Sequence, residues 1–273
     1  MNPKLVLITD PSNGDIDEDE HLEKLLSRQF NVQIIPFKDY KRIKKSDGTV
    51  LIRNIFPNHH VANMHEYRRN SREMRQYLSN IGLHVYNDLS GSGDVQGKDY
   101  LLRLFREGYP VIPTIDRIEE LEKLPMSNRY VVKPKDGLSS IGLKILTRQE
   151  LLLADIENDL IQPYIEFTEE SCFFFIDKSF QYAIKTRDRR VISDITQFIP
   201  SKKEIATAES FVRWNKLRSG IQRVDFCRTK QGRLLLMELE DDSPYLFLSS
   251  IDRETEKGFI SALVNSLKKE YVL

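Results

Sequence analysis

The sequence predicts an α/β protein built of several lobes: a small parallel-sheet domain at the N-terminus, a central lobe, and a C-terminal lobe that mixes helices with antiparallel strands. Three observations lead there. A chain of 273 residues can bury roughly 75% of its unfolded surface, and chains of this size commonly divide into lobes. Strand-like and helix-like periodicities alternate through the first third, as parallel βα units require. Behind them come strands whose connections are too short for crossover helices, which makes them antiparallel.

The elements follow in order. Leu5 to Thr9 is a short apolar run, DPSNGDIDEDE a turn, and HLEKLLSRQF a helix whose Leu22, Leu25 and Leu26 recur at helical spacing. VQIIPF is the next strand. The unit repeats with TVLIRNIF, the basic amphipathic helix MHEYRRNSREMRQYLSNIG and the strand LHVYN. The Gly-Ser-rich LSGSGDVQGK reads as a boundary, giving a first domain over 1–94. The helix DYLLRLFREG, the segment YPVIPT, a helix over DRIEELEKL and the strands RYVVKPK, GLKIL and LIQPYI then belong to a central domain over 95–180, with ESCFFFID at its end. FQYAIKT, EIATAESFVRWNKL, the hairpin RVDFCRTKQGRLLLMELEDD and the helix ETEKGFISALVNSLKKEY make the last domain, 181–273.

Composition narrows the function. At 40% hydrophobic and 30% charged residues the chain has the make-up of a folded soluble domain. Its 41 basic and 41 acidic residues cancel, so no general field attracts nucleic acid or an anionic membrane. The apolar run before Asp10 is too short for a signal peptide, and no later run reaches ~18 apolar residues, so a cytoplasmic protein is expected. Cys172 and Cys227 lack metal or redox spacing and read as reduced core residues.

The hairpin carries the clearest chemistry. Its second strand passes from Leu-Leu-Leu-Met directly into Glu238, Glu240, Asp241 and Asp242. Asp225 lies on the first strand, and Glu238 and Glu240 share a face of the second because strand side chains alternate. Apolar runs on both sides predict burial, where unpaired carboxylates are costly, so Asp225, Glu238 and Glu240 read as ligands of magnesium, which prefers hard oxygen donors. Upstream, in RYVVKPKDGLSSIGLKIL, Lys133 emerges from a strand into a small-residue turn suited to phosphate oxygens.

Taken in order, Lys98, Lys133 with its DGLSSIG turn, LIQPYIEFTEES, RVD and MELE resemble the ATP-grasp superfamily, especially its carboxylate-amine ligases, over nearly the whole chain. The resemblance implies a Rossmann-like N-terminal domain, a central lid and a C-terminal α/β domain bearing the metal site. It implies that Lys98 and Lys133 hold ATP phosphates beneath the loop Asp136 to Ile141, with Lys135, Ser139 and Ser140 as further nucleotide ligands. It places Gln162, Pro163, Tyr164 and Ile165 against adenine and Glu170 on the ribose. Arg223, with Lys133, becomes catalytic by stabilising the transferred phosphoryl group. Two Mg2+ ions and ATP are the implied cofactors, and the activity is amide formation through an acyl phosphate. Glu240 stands where many members carry asparagine. An ATP-binding scaffold and a small-molecule kinase stay open as alternatives.

The substrates read as a small-molecule or peptide carboxylate and an amine, and homo-oligomerisation stays open. Arg53 leaves a strand at its C-terminal end, where open α/β sheets bind ligands, and is a substrate candidate. Lys185 and Arg187, followed by Arg189 and Arg190, read as a carboxylate clamp or a charged hairpin. Arg68, Arg72 and Arg75 fall on one helix face, read first as solvated and second as a site for an acidic substrate. His59, His60 and His65 lack the spacing of a metal site and read as a loop beside the substrate cleft.

Overall fold

A computed structural model describes residues 2–10, 16–56, 64–137, 140–187, 192–269 and 271. The first lobe comprises β1 (Lys4–Thr9), α1 (Ile16–Leu26), β2 (Asn31–Pro36), β3 (Thr49–Ile52), α2 (Met64–Asn80) and β4 (His84–Tyr86), with four parallel strands in the order β2-β1-β3-β4. Strands covered on both sides read as continuous apolar runs: Leu5 and Leu7 enter one core, while Val6 and Ile8 enter another under α2.

After α3 (Tyr100–Arg106) comes a three-stranded antiparallel lid, β6-β5-β7, made of β5 (Arg129–Pro134), β6 (Lys144–Thr147) and β7 (Asp159–Pro163). Between β6 and β7 lies α4 (Arg148–Leu153), whose N-terminus is closed by a reciprocal Thr147–Glu150 capping box. The stretch expected to be helical around DRIEELEKL is a short 3-10 turn, Ile118–Lys123. It ends at Leu124, whose backbone is extended as the residue before Pro125 prefers.

The last lobe contains β8 (Phe167–Ile176), β9 (Ser179–Thr186), β10 (Thr196–Phe198), α5 (Lys202–Asn215), β11 (Ile221–Thr229), β12 (Leu234–Glu240) and α6 (Arg253–Lys269). Its sheet runs β10-β9-β8-β11-β12, antiparallel throughout. Strand β8 lies at its centre, which explains the unbroken Phe-Phe-Phe run. Phe173 and Phe175 pack beneath α3 and α5, whereas Cys172 and Phe174 face α6 and the first lobe. A boundary at 180 would cut the β8–β9 hairpin, so this sheet begins instead at Phe167, after the linker.

The Gly-Ser-rich segment is not a loose boundary either. Asn87 bonds the Ile221 and Asp241 carbonyls, Ser92 N–H donates to Asn215, and Gly91 and Gly93 are so close to Asp241 and Leu239 that a Cβ at either would clash. The arginine face of α2 is likewise a docking face and not a solvated one. Arg75 is fully buried and bonds the Asn87 carbonyl at 2.8 Å, the Asp242 carbonyl at 2.9 Å and the Asp242 carboxylate at 2.5 Å. Arg68, also buried, donates to the Asp94 carbonyl and to that of Asp136, while Arg72 alone is exposed.

Removing one partner of a buried charge pair leaves the other uncompensated, typically at a cost of about 3–5 kcal/mol. Arg75→Met is therefore expected to lower unfolding stability on that order in urea titrations. Arg72→Ala should change it by less than about 0.5 kcal/mol, as surface substitutions usually do. Equal, small effects would return this face to a solvated role.

Candidate active site

Strands β11 and β12 pair Arg223 with Glu240 and Asp225 with Glu238, which puts all four side chains on one face. The register then slips, so that Phe226 pairs with Leu236 and Met237 is the extra residue. This bulge lets Leu236 and Leu239 both enter the core while Glu238 and Glu240 stay on the other face. The acids are paired tightly. Arg223 donates from Nε to Asp225 at 2.9 Å and from a terminal nitrogen to Glu240 at 2.5 Å, and it also reaches the Tyr245 carbonyl at 3.0 Å. Lys98 Nζ lies 2.9 Å from both Asp94 and Glu238. Oxygens of Asp94, Glu238 and Glu240 converge within 4.8 Å of one another.

A cavity of about 290 Å³ opens between the lid and β12, with Lys98, Lys133 and Glu238 at its polar end. Its slot is apolar, walled by Ile112, Val131, Ile145, Ile165 and Met237, with Tyr164 on the linker. Larger grooves of about 380 and 460 Å³ lie between α1 and α6 and behind the linker, but neither gathers the lysines and the acidic hairpin.

No family model and no characterised protein matches the chain by sequence. Solved structures do match it in shape. D-cycloserine synthetase DcsG superposes with a TM-score of 0.75 at 21% identity, over 97% of this chain and 99% of that one. The D-alanine–D-alanine ligase of Bacillus anthracis complexed with ATP gives 0.69 at 17%, over 99% of each. The ATP-grasp ligase PsnB complexed with a minimal precursor gives 0.66 at 16%, over 99% of this chain and 100% of that one. The chain has the ATP-grasp fold.

Within this ATP-grasp frame, Lys98, Lys133, Ser140, Gln162, Pro163, Tyr164 and Ile165 all line the cavity. Gln162 is buried with its amide donating to Thr114, so its side chain is committed to the scaffold. Ser139 lies outside the described residues, as do Leu138, His59, His60, Arg189 and Arg190. Other expected residues lie apart from the cavity or the convergent oxygens. Lys135 forms ion pairs with Asp99 at 3.0 Å and Asp116 at 2.9 Å and does not line the cavity. Glu170 does not line it either, since Phe167 is the residue that β8 contributes there and Glu170 pairs in register with Cys227. Asp225 is held by Arg223 and is not in the trio of described carboxylates whose oxygens converge, in which Asp94 joins Glu238 and Glu240.

The substrate candidates are also placed differently. Arg53 is fully buried, bonded to Glu18 at 2.9 Å and to the Pro244 carbonyl at 2.5 Å, and so ties the first lobe to the loop after β12. Lys185 pairs with Glu169 at 3.6 Å and lies 5.6 Å from the Phe198 ring centre. The Arg187 backbone N–H donates to Asp194. These three do not converge on the cavity.

Sequence reasoning missed Asp94 and gave Asp241 no role. Asp94 was hidden in apparent linker composition, and only its four-residue spacing from Lys98 hinted at a pair. Asp241, fully buried, receives Gly93 N–H at 3.2 Å and Val95 N–H at 2.8 Å and so positions the turn that presents Asp94.

Electrostatics separate the two lysines. Burial alone would lower Lys98, but Asp94 and Glu238 carry it well above the ordinary lysine value. Lys133 forms no ion pair among the described residues: burial, and then the charge of Lys98, push it down to about 8 against the weaker pull of Glu238 and Asp94. Burial likewise raises Glu240, against the pull of Arg223, and lifts Asp241 to about 6.

A lysine held near 8 in the fold and at 10.5 when unfolded binds fewer protons folded than unfolded between those values, so stability rises with pH across that window. Lys133→Met should therefore raise the melting temperature of the ligand-free protein at pH 7. The gain should fade as pH passes from about 8 to 10.5. Melting curves across this range check it, and a constant or negative difference would show that Lys133 carries no such penalty.

Proposed function

We propose that this chain is an ATP-dependent carboxylate-amine ligase, forming an amide or peptide bond and releasing ADP and phosphate. The observation that carries the reading is the cavity itself, an apolar slot suited to a purine that ends in two lysines and a buried acidic hairpin. The fold it shares with DcsG, D-alanine–D-alanine ligase and PsnB supports the same reading.

In this reading ATP enters with adenine against the linker residues Pro163 to Ile165, and Lys98 and Lys133 meet the phosphates. A substrate carboxylate attacks the γ-phosphorus, ADP leaves, and the resulting acyl phosphate is attacked by an amine to give the amide and inorganic phosphate. Arg223 lies on the acidic face and is suited to the transferred phosphoryl group and the developing oxyanion. No protein nucleophile is needed, because positioning and charge neutralisation supply the catalysis.

Magnesium fits the residues present. Asp94, Asp225, Glu238 and Glu240 gather around Lys98 and Arg223. Such a cluster of hard oxygen donors in a mostly buried site suits a divalent cation. Glu238 and Glu240 would hold it, and the bound ion would neutralise charge on the phosphates.

Incubation with ATP, Mg2+ and pools of carboxylates and amines should yield ADP and a conjugate lighter than its two components by one water, detected by mass spectrometry. ADP with a stable phosphorylated product would make the chain a kinase. Nucleotide binding without ADP release would make it a binding module. Nucleotide affinity should also fall as pH rises through about 8, where Lys133 loses its charge, and Lys133→Gln should flatten that dependence in calorimetric titrations. Arg223→Met should lower turnover by about 10²–10³ while nucleotide affinity changes little. An equal loss of nucleotide affinity would make Arg223 a ground-state ligand instead.

A further inference from the structure

We propose that Asp94 is a third carboxylate ligand of the divalent cation, delivered from outside the hairpin, and that Lys98 competes with the cation for it. The inference rests on the metal site proposed above and adds to it a residue and a coupling.

Four observations carry it. Oxygens of Asp94, Glu238 and Glu240 lie within 4.8 Å of one another, near enough for small side-chain rotations to bring them around one ion. Asp94 is 1% exposed, and its Oδ1 is buried with no hydrogen-bond partner among the described residues. A buried carboxylate oxygen without a donor is costly, and its own side chain has no donor to turn towards it. The backbone around Asp94 is fixed. Asp241 accepts from Gly93 and Val95 on either side of it, and a Cβ on Gly93 would meet the Leu239 carbonyl at 2.5 Å. Asp241 also follows Glu240 directly in sequence, so one rigid stretch of backbone sets the distance between Asp94 and the hairpin acids.

The fourth observation concerns Lys98, whose ammonium is shared between Asp94 and Glu238 at 2.9 Å from each. It also lines the cavity with Lys133. An ammonium drawn towards a polyphosphate withdraws from Asp94 and Glu238, and a divalent ion then takes its place beside Asp94. Nucleotide and metal should accordingly bind cooperatively, each strengthening the other by the same factor.

The probe is Mn2+, followed by electron paramagnetic resonance on the full chain with and without ADP. ADP should tighten Mn2+ binding to the native protein. Asp94→Asn should weaken Mn2+ binding by about 10- to 100-fold, as loss of a metal-site partner commonly does, with the melting temperature measured first to verify folding. Lys98→Met should tighten nucleotide-free Mn2+ binding while weakening ADP binding. A lysine that only holds phosphates would leave nucleotide-free Mn2+ binding unchanged.

Glu238→Gln separates the two levels of the reading. If it weakens Mn2+ binding and folded Asp94→Asn does not, the hairpin metal site stands and the role given to Asp94 is overturned. If neither variant alters Mn2+ binding, the metal site itself is wrong. Should Asp94→Asn fail to fold, Lys98→Met decides the competition, and unchanged or weaker nucleotide-free Mn2+ binding overturns it.

Discussion

The acidic end of β12 is the constraint to which the rest of the molecule answers. Buried carboxylates are tolerable only when something positive or a hydrogen-bond donor meets each of them. Here the partners come from all around the fold. Arg223 is supplied by the neighbouring strand, Lys98 by the segment between lobes, Arg75 by the first lobe's long helix, and two backbone N–H groups by the glycine turn. The lobes are therefore fastened together by the charges that form the site, so assembly of the site and assembly of the fold are one event.

The same geometry divides labour among cations. Arg53 and Arg75 are fully buried and held by partners on both sides of the lobe junction, which suits rigid, bidentate guanidinium groups. Lys98 and Lys133 stand on the cavity wall. Asp94 and Glu238 outweigh burial at Lys98, whereas at Lys133 burial and the charge of Lys98 outweigh the same two acids. A desolvated cation facing a cavity costs stability and favours an anion that enters, which is the usual trade between a stable fold and a competent site.

Reading the chain from its sequence succeeded where local pattern and burial agree. Period-two and period-3.6 runs located the strands and helices, because both faces of the central sheet are covered and the apolar residues have nowhere else to go. The hairpin acids were visible because carboxylates inside an apolar run contradict their surroundings. It failed where composition imitates flexibility or solvent. The glycines and serines of 90–93 look like a linker, yet Gly91 and Gly93 must be small because Asp241 and Leu239 press against them. The arginines of α2 look solvated, since a helix face carries no mark of what covers it.

The sequence by itself determined most of the secondary elements, the antiparallel hairpin, the shared face of Glu238 and Glu240 on it, and the two lysines before it. These follow from alternation, turn length and the cost of buried charge, all of which act between near neighbours in the chain. Tertiary structure alone decided that Asp94 replaces Asp225 among the convergent oxygens, that Arg53 and Arg75 fasten lobes, and that Glu170 and Lys135 stay off the cavity wall. Those outcomes depend on which side chains meet across distant segments, and one bulge at Met237 or one glycine turn redirects them without leaving a periodic signal in the sequence.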